Sequence, residues 1–380
     1  MKTLLFLTGG PYFWPEQETV RLKYELLSAH FEGFVVSFVS RVEWKRASIG
    51  RFELIGRPTF GRIYNVLPLR LLLRLVFTLT SSLRLHFSRR RIDVIVASDP
   101  FVTGLLAWIL SLITRARFVV EVNNDFQALA NWGVRSLNLL TFLKTAYVRL
   151  VAPFVLNRAH GVRLLYRTQV AGFRGLRDPG KYACFHDFVA TSLYGASAGE
   201  ARRILFIGHP WYTKGVDVLL RAFNAVSPEY PEYTLRLVGY LPEKDENRAL
   251  FAENPRVEFV GPVMPDAVIR LMSDCAVFVL ASRSEGMPRV LIEAMVSGKP
   301  IIASRVGGIP HYIQHGLTGL LFERDDVQSL TKLLRDVLSS DDYRRGLGEN
   351  ARRYAREQLS DRRYTEGMVR LITAVAQPLR

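Results

Sequence analysis

Cysteine is scarce: the 380-residue chain has two, Cys184 and Cys275. Two thiols cannot build a disulfide framework or a thiolate metal cluster. Both sit inside apolar runs and read as reduced core residues of a protein made in a reducing, cytoplasmic compartment. Acidic residues are scarce in one half only. Residues 1–180 carry 25 Lys and Arg against 11 Asp and Glu, whereas residues 181–380 carry 26 against 24. The net charge of +16 therefore belongs to the N-terminal half. A field so lopsided suits an anionic partner: nucleic acid, an anionic membrane surface or a phosphorylated substrate. Long apolar runs are missing too. The longest uncharged stretch, 100–114, falls short of the ~20 residues that span a bilayer and follows the capping Asp99, so it reads as a buried helix. The run 4–7 is too short for a signal-peptide core and reads as a first strand.

Several chemistries are also missing. The chain has no G-x-x-x-x-G-K-[ST] loop, no G-x-G-x-x-G after its first strand and no G-x-S-x-G elbow. It has no Asp-x-Asp, so no metal bridging a diphosphate is expected. His311 and His315 lie four apart without a third ligand nearby, and no metal site is assigned to them.

What is present is a globular composition, 49% hydrophobic and 23% charged, which excludes a disordered chain. Short β-branched or apolar runs alternate with helical patterns. Strands are expected at 3–7, 34–39, 52–55, 93–97, 118–122 and 161–165, then at 204–207, 234–238, 257–260, 276–280, 300–303 and 319–322. Strands without polar alternation, separated by helices, mean parallel sheets covered on both faces. The pattern restarts after the small-residue segment 195–199, which reads as a linker. The expectation is an α/β protein of two Rossmann-like domains, 1–195 and 200–360, with a terminal helix over 361–380 that packs back on the first domain. Ligands belong at the carboxyl ends of the strands and in the cleft between the domains.

The most informative segment is Ser282-Arg-Ser-Glu-Gly-Met-Pro-Arg-Val-Leu-Ile-Glu-Ala-Met295. A strand ends just before it and a helix is expected from Pro288, so free N–H groups at the helix start suit a phosphate. Glu285 lies before that helix and Glu293 in its second turn. One carboxylate can accept from a sugar and the other from a ribose diol. The plainer alternative is two solvated surface glutamates.

The pair Glu285-x7-Glu293 is followed by Gly298-Lys-Pro-Ile-Ile-Ala-Ser-Arg-Val-Gly-Gly-Ile-Pro310 and His315-Gly-Leu-Thr-Gly-Leu-Leu-Phe322. Upstream stands Phe206-Ile-Gly-His-Pro-Trp-Tyr-Thr-Lys-Gly-Val-Asp-Val-Leu-Leu-Arg-Ala-Phe223. Together these resemble the donor domain of the family 4 retaining glycosyltransferases (glycosyltransferase group 1), which have the GT-B fold. The resemblance covers 204 to about 356 and weakens over 1–200.

That resemblance implies a retaining, hexosyltransferase-like enzyme without metal or other cofactor, its donor a nucleotide-diphospho-sugar and its acceptor a glycan or lipid-linked molecule. It implies that Glu285 holds a hydroxyl of the transferred sugar, that Glu293 holds the ribose, and that backbone around Gly286 and Met287 lines the sugar. Amides near Val290 and Leu291 would meet the diphosphate, faced also by Lys214, whose cation would stabilise the leaving group. The glycine pair Gly9-Gly10 resembles one that approaches the ligand, although a tight turn accounts for it as well. Two positions depart from the pattern. Gly208 is followed by His209 where an arginine is usual, and Asn123, in Glu121-Val-Asn-Asn-Asp125, replaces a histidine that touches the donor sugar. Asparagine can still bond a hydroxyl.

The segment 66–91 sets leucines against Arg70 and Arg74, then Arg89, Arg90 and Arg91. It reads either as a helix packed on its own sheet or as an amphipathic helix on anionic lipid, which would place the protein peripherally at the inner membrane face. No aromatic stacking platform accompanies the basic charge, so nucleic acid is not expected. The competing functional readings are a nucleotide-sugar epimerase, a phosphorylase lacking an identifiable pyridoxal lysine, and a degenerate binding protein that keeps the fold.

Overall fold

The computed structural model describes residues 1–8, 17–38, 45–57, 67–88, 91–126, 139–195, 201–240 and 254–377. The linker residues 196–199 and the pair Gly9-Gly10 lie outside them. The chain divides into two compact units, one of Met1–Asn123, Asn138–His186 and Arg362–Arg380, the other of Asn124–Leu137 and Asp187–Asp361.

The first unit is built on eight strands: β1 (Lys2–Thr8), β2 (Phe31–Phe38), β3 (Lys45–Ile49), β4 (Phe52–Arg57), β5 (Val94–Ala97), β6 (Arg117–Val122), β7 (Gly161–Leu164) and β8 (Tyr182–Cys184). Their order is β3-β4-β2-β1-β5-β6-β7-β8. Strands β1, β5 and β7 are buried nearly throughout, as a sheet covered on both faces requires. Helix α1 (Glu18–Ser28) joins β1 to β2, whereas α2 (Leu67–Ser88), α3 (Val102–Thr114) and α4 (Leu139–Arg158) connect strands that advance the other way across the sheet. Right-handed crossovers then put α1 on one face and α2, α3 and α4 side by side on the other. The chain reverses direction between β1 and β5, the kind of strand-order switch at whose carboxyl ends such sheets bind ligands.

Three details differ from the sequence reading. Strand β3 runs antiparallel to β4 as an edge hairpin, so the sheet is not wholly parallel. Strand β8 extends the other edge. It carries Cys184, which is exposed rather than in the core, while Cys275 is buried.

In the second unit six parallel strands, β9 (Arg203–Ile207), β10 (Thr234–Val238), β11 (Val257–Val260), β12 (Val277–Leu280), β13 (Ile301–Ser304) and β14 (Leu320–Phe322), follow the order β11-β10-β9-β12-β13-β14. Helices α5 (Val216–Val226), α6 (Pro265–Ser273) and α7 (Arg289–Val296) make the crossovers. Helices α8 (Val327–Leu338) and α9 (Asp341–Gln358) follow the last strand, α8 packing on α5 and α9 on α7. Here the direction reverses between β9 and β12, which pair directly. The loops leaving these two strands therefore rise side by side, and they carry Lys214 and Glu285.

Helix α10 (Asp361–Ala376) then returns to the first unit. Its Tyr364, fully buried, meets Phe185 edge-on with ring centroids 5.9 Å apart. Lys23 of α1 stands 5.3 Å over the Tyr364 ring, so α10 shares the α1 face of the sheet.

Candidate active site

The site in the second unit starts from two loops that the backbone presses together. Gly215, at φ 62°, has no room for a side chain, because a Cβ would lie 1.9 Å from the carbonyl oxygen of Ala281. Gly307, at φ 50°, is equally confined: its Cβ would lie 1.8 Å from the carbonyl oxygen of Glu285. Both conformations favour glycine. The neighbouring Gly308 N–H donates to the Gly286 carbonyl at 2.9 Å. The loop carrying Glu285, Gly286 and Met287 is thus gripped by backbone on two sides, and all three residues are buried.

Within that frame the Lys214 Nζ lies 2.6 Å from Glu285 Oε1, and the Ser282 hydroxyl donates to the same oxygen at 2.6 Å. Gly208 lets the lysine stem pass, since a Cβ there would lie 3.1 Å from Lys214 Cγ. His209 is exposed and its ring meets Tyr240 edge-on at 5.3 Å. Arg283 locks the two loops together. It donates to the Tyr212 carbonyl at 2.6 Å and to both oxygens of Asp217 at 2.8 and 2.7 Å, and it pairs with Asp325 at 2.8 Å. Burial works against the charge on Asp217, but the hydrogen bonds and charge of Arg283 hold its carboxyl below the usual range. The two-pronged contact is the strong form of an arginine–carboxylate pair.

Helix α7 begins at Arg289, with Pro288 the extended residue that flanks it rather than its first helical residue. The Leu291 N–H donates to the Pro288 carbonyl at 3.0 Å, and Val290 sits half-exposed at the helix start. Glu293 lies one turn further on. The Tyr194 phenol stands near its carboxylate, and desolvation pushes both the Glu293 carboxyl and the Tyr194 phenol upward.

Asn123 belongs to the first unit, at the end of β6. Its amide nitrogen donates to the Ser98 carbonyl at 2.9 Å, and its amide oxygen accepts from Arg163. Arg163 is fully buried, pairs with Glu121 at 3.0 Å and donates to the His186 carbonyl at 3.2 Å. Asp99, at the end of β5, accepts from the Phe101 N–H and the Thr103 hydroxyl, at 2.8 and 2.7 Å. It closes the turn into α3, and burial raises its carboxyl despite those bonds.

Of the expected residues, the structure brings Gly208, Lys214, Glu285, Gly286 and Met287 to one place and sets Glu293 and Val290 along the adjoining helix. Gly10, Arg89 and Arg90 lie outside the described residues, as do the side chains of Arg70 and Arg74 in α2. Arg91 is exposed. Sequence reasoning missed the Arg283–Asp217 clamp, Ser282, Tyr194 and the buried Arg163. Ser282 and Arg283 stand inside the quoted segment. Nothing local marks Tyr194 or Arg163, whose partners are distant in sequence.

Residues 195–354 match the family "Glycosyl transferases group 1". An uncharacterized glycosyltransferase of Methanocaldococcus jannaschii is 32% identical over 155 residues, which are 40% of this chain and 43% of that protein. The chain spans less than half the length of the curated relatives it matches. Among solved structures, sucrose-phosphate synthase from Thermosynechococcus elongatus superimposes with a TM-score of 0.80 at 19% identity, covering 98% of both chains. Anabaena HepE, solved with UDP and glucose, gives 0.73 at 18% identity, covering 98% of this chain and 100% of that one. These likenesses fix the fold as GT-B. The matched segment lies wholly within the second unit, which is thus similar to the group 1 glycosyltransferases.

Proposed function

We propose that the protein transfers a sugar, with retention of anomeric configuration, from a nucleotide-diphospho-sugar bound to its second unit to a glycan or lipid-linked acceptor. The observation that carries this reading is the Lys214–Glu285 contact at the strand-order reversal of the second sheet. Each of the two groups is held by a rigid loop, and each matches one part of the donor. Lys214 faces the diphosphate and stabilises its growing charge. Glu285, with Ser282 fixing its carboxylate, accepts from a hydroxyl of the transferred sugar. Glu293 accepts from the ribose, and the start of α7 adds backbone N–H groups toward the phosphates.

In the step itself the bond between the anomeric carbon and the β-phosphate oxygen breaks. The acceptor oxygen forms its bond on the same face, and its proton passes to the departing phosphate. Charge compensation rests on Lys214 and the helix start, so the reading includes independence of divalent metal. Anabaena HepE, a structural neighbour, has been solved with UDP-glucose, which supports a nucleotide sugar as the donor class.

The test is thermal stabilisation by nucleoside diphosphates and their sugars. A ligand at a hundred times its dissociation constant adds about 2.7 kcal/mol. The stabilising donor, incubated with candidate acceptors, is expected to give a product whose anomeric configuration by NMR is that of the donor. No stabilisation by any nucleoside diphosphate, or an inverted product, overturns the reading.

A further inference from the structure

A helix that is apolar all round belongs in a core, yet α3 is covered on one side only. Its sequence, Val-Thr-Gly-Leu-Leu-Ala-Trp-Ile-Leu-Ser-Leu-Ile-Thr, has no charged residue. Leu106, Ala107 and Leu110 are buried against the sheet, while Leu112 and Ile113 are 64% and 50% exposed. On the helices to either side, Phe87 of α2 and Phe142 and Leu150 of α4 are about as exposed, at 71%, 69% and 72%. Most of the exposed large apolar side chains among the described residues stand on these three helices.

The charge on the same face has one sign. None of α2, α3 and α4 contains an Asp or Glu. Arg84, Arg149 and Arg158 are exposed on these helices, and Arg91 and Arg115 are exposed just beyond the ends of α2 and α3. Arg158 lies flat on Phe154, 3.6 Å from the ring centroid, beside Trp108, which meets Phe154 edge-on. On the opposite face α1 mixes signs, with Glu18 and Glu25 flanking Arg21.

We infer that the α2–α3–α4 face docks on an anionic membrane surface, its aliphatic and aromatic side chains entering the interface while the arginines meet lipid phosphates. Charge complementarity selects this occupant. A second copy of the same face would set arginine against arginine. A nucleic acid would match the arginines and leave Leu112, Ile113 and Leu150 in water. No described helix is long and apolar enough to cross a membrane, so the face lies on the bilayer rather than through it. The surface is wider than the single arginine-rich helix legible at 66–91, because α3 and α4 supply most of its apolar part. It also stands apart from the transfer chemistry, since none of its residues belongs to the proposed donor site.

The experiment is cosedimentation of the whole chain with vesicles of mixed phosphatidylglycerol and phosphatidylcholine, and with phosphatidylcholine alone. Binding to the anionic vesicles is expected, weakening as salt rises. A variant with L112Q, I113Q and L150Q, and a second with R84Q, R115Q and R149Q, are each expected to lower partition about tenfold or more. Both sets change exposed side chains, and an unchanged thermal midpoint verifies the fold. Absence of binding to anionic vesicles overturns the inference, as does full binding by both variants. Two further results would overturn it: a dimer of the parent chain that the first variant dissociates, or RNA binding abolished by the second variant without vesicle binding by the parent. A failure of donor binding leaves this result untouched, because the vesicle assay needs no nucleotide.

Discussion

The two units use charge in opposite ways. In the second unit the charges at the site come as pairs fixed by geometry, Lys214 on Glu285 and Arg283 on Asp217, at 2.6–2.8 Å. In the first unit one buried pair, Arg163 with Glu121, supports the strand ends, while the outer face of α2, α3 and α4 carries arginine with no acid at all. Net charge alone reports only the second kind of use. A paired charge positions a group and vanishes from the sum, whereas an unbalanced face sets up a field for something outside the molecule.

The sharpest way to break this contrast is to strip each unit of one paired cation. Arg163→Ala leaves Glu121 uncompensated in the core, and breaking such a pair typically costs about 3–5 kcal/mol. Urea unfolding is expected to show a loss of that size, and a midpoint shift within error would mean that the pair carries no structural load. In the second unit Lys214→Ala is expected to lower transfer on the order of a hundredfold or more, the usual effect of removing a preorganised electrostatic contact. The fold should survive, because Lys214 lies in a loop, and single-turnover kinetics with far-UV circular dichroism check both points.

Glu293 sharpens the comparison further, since it is a desolvated carboxyl whose charge Arg289 and the Tyr194 hydroxyl offset only in part. Glu293→Ala is expected to raise the donor KM while kcat changes little, as for a contact shared by ground and transition states. Glu293→Gln tests its ionisation. A folded-state carboxyl held above its unfolded value costs nothing in acid, where both states are protonated, and weakens the fold as pH rises beyond the ordinary carboxylate range. The variant's thermal midpoint is therefore expected to match the parent's at acid pH and to exceed it modestly at neutral pH. The smallest expected effect is that of chelator. Turnover should persist in EDTA, and loss restored by magnesium or manganese would count against charge compensation by Lys214 and α7.

Most of the strands legible in sequence are apolar runs buried on both sides that need no polar alternation, although the half-exposed edge strand β11 was legible too. The two missed strands are the edges of the first sheet. Lys45-Arg-Ala-Ser-Ile has one solvent-facing side and reads as polar, and Tyr182-Ala-Cys is too short to carry a pattern. The same edge position accounts for the misread Cys184. At the site, Lys214 and Glu285 were legible because each falls in a segment that resembles a family pattern and lies just past a strand. Tyr194 was not, because its tie to Glu293 spans about a hundred residues and depends on a tertiary contact that no local spacing encodes. The role of Asn123 was read from its position, whereas its hydrogen bonds to Ser98 and Arg163 come from strands β5 and β7, which only the sheet order brings beside it.

The return of α10 to the first unit bears on how the protein is made. Tyr364 fills a buried place beside Phe185, and Val375 and Leu371 lie over Gly161 of β7. On a ribosome, chains usually fold from the N-terminus at the pace of synthesis, about 5–20 residues per second. Here the first unit to emerge lacks one of its covering helices until the whole second unit has followed. The main segment of the second unit, Asp187–Asp361, is synthesised before α10, so the sheet of the acid-poor first unit waits for a helix made after that segment.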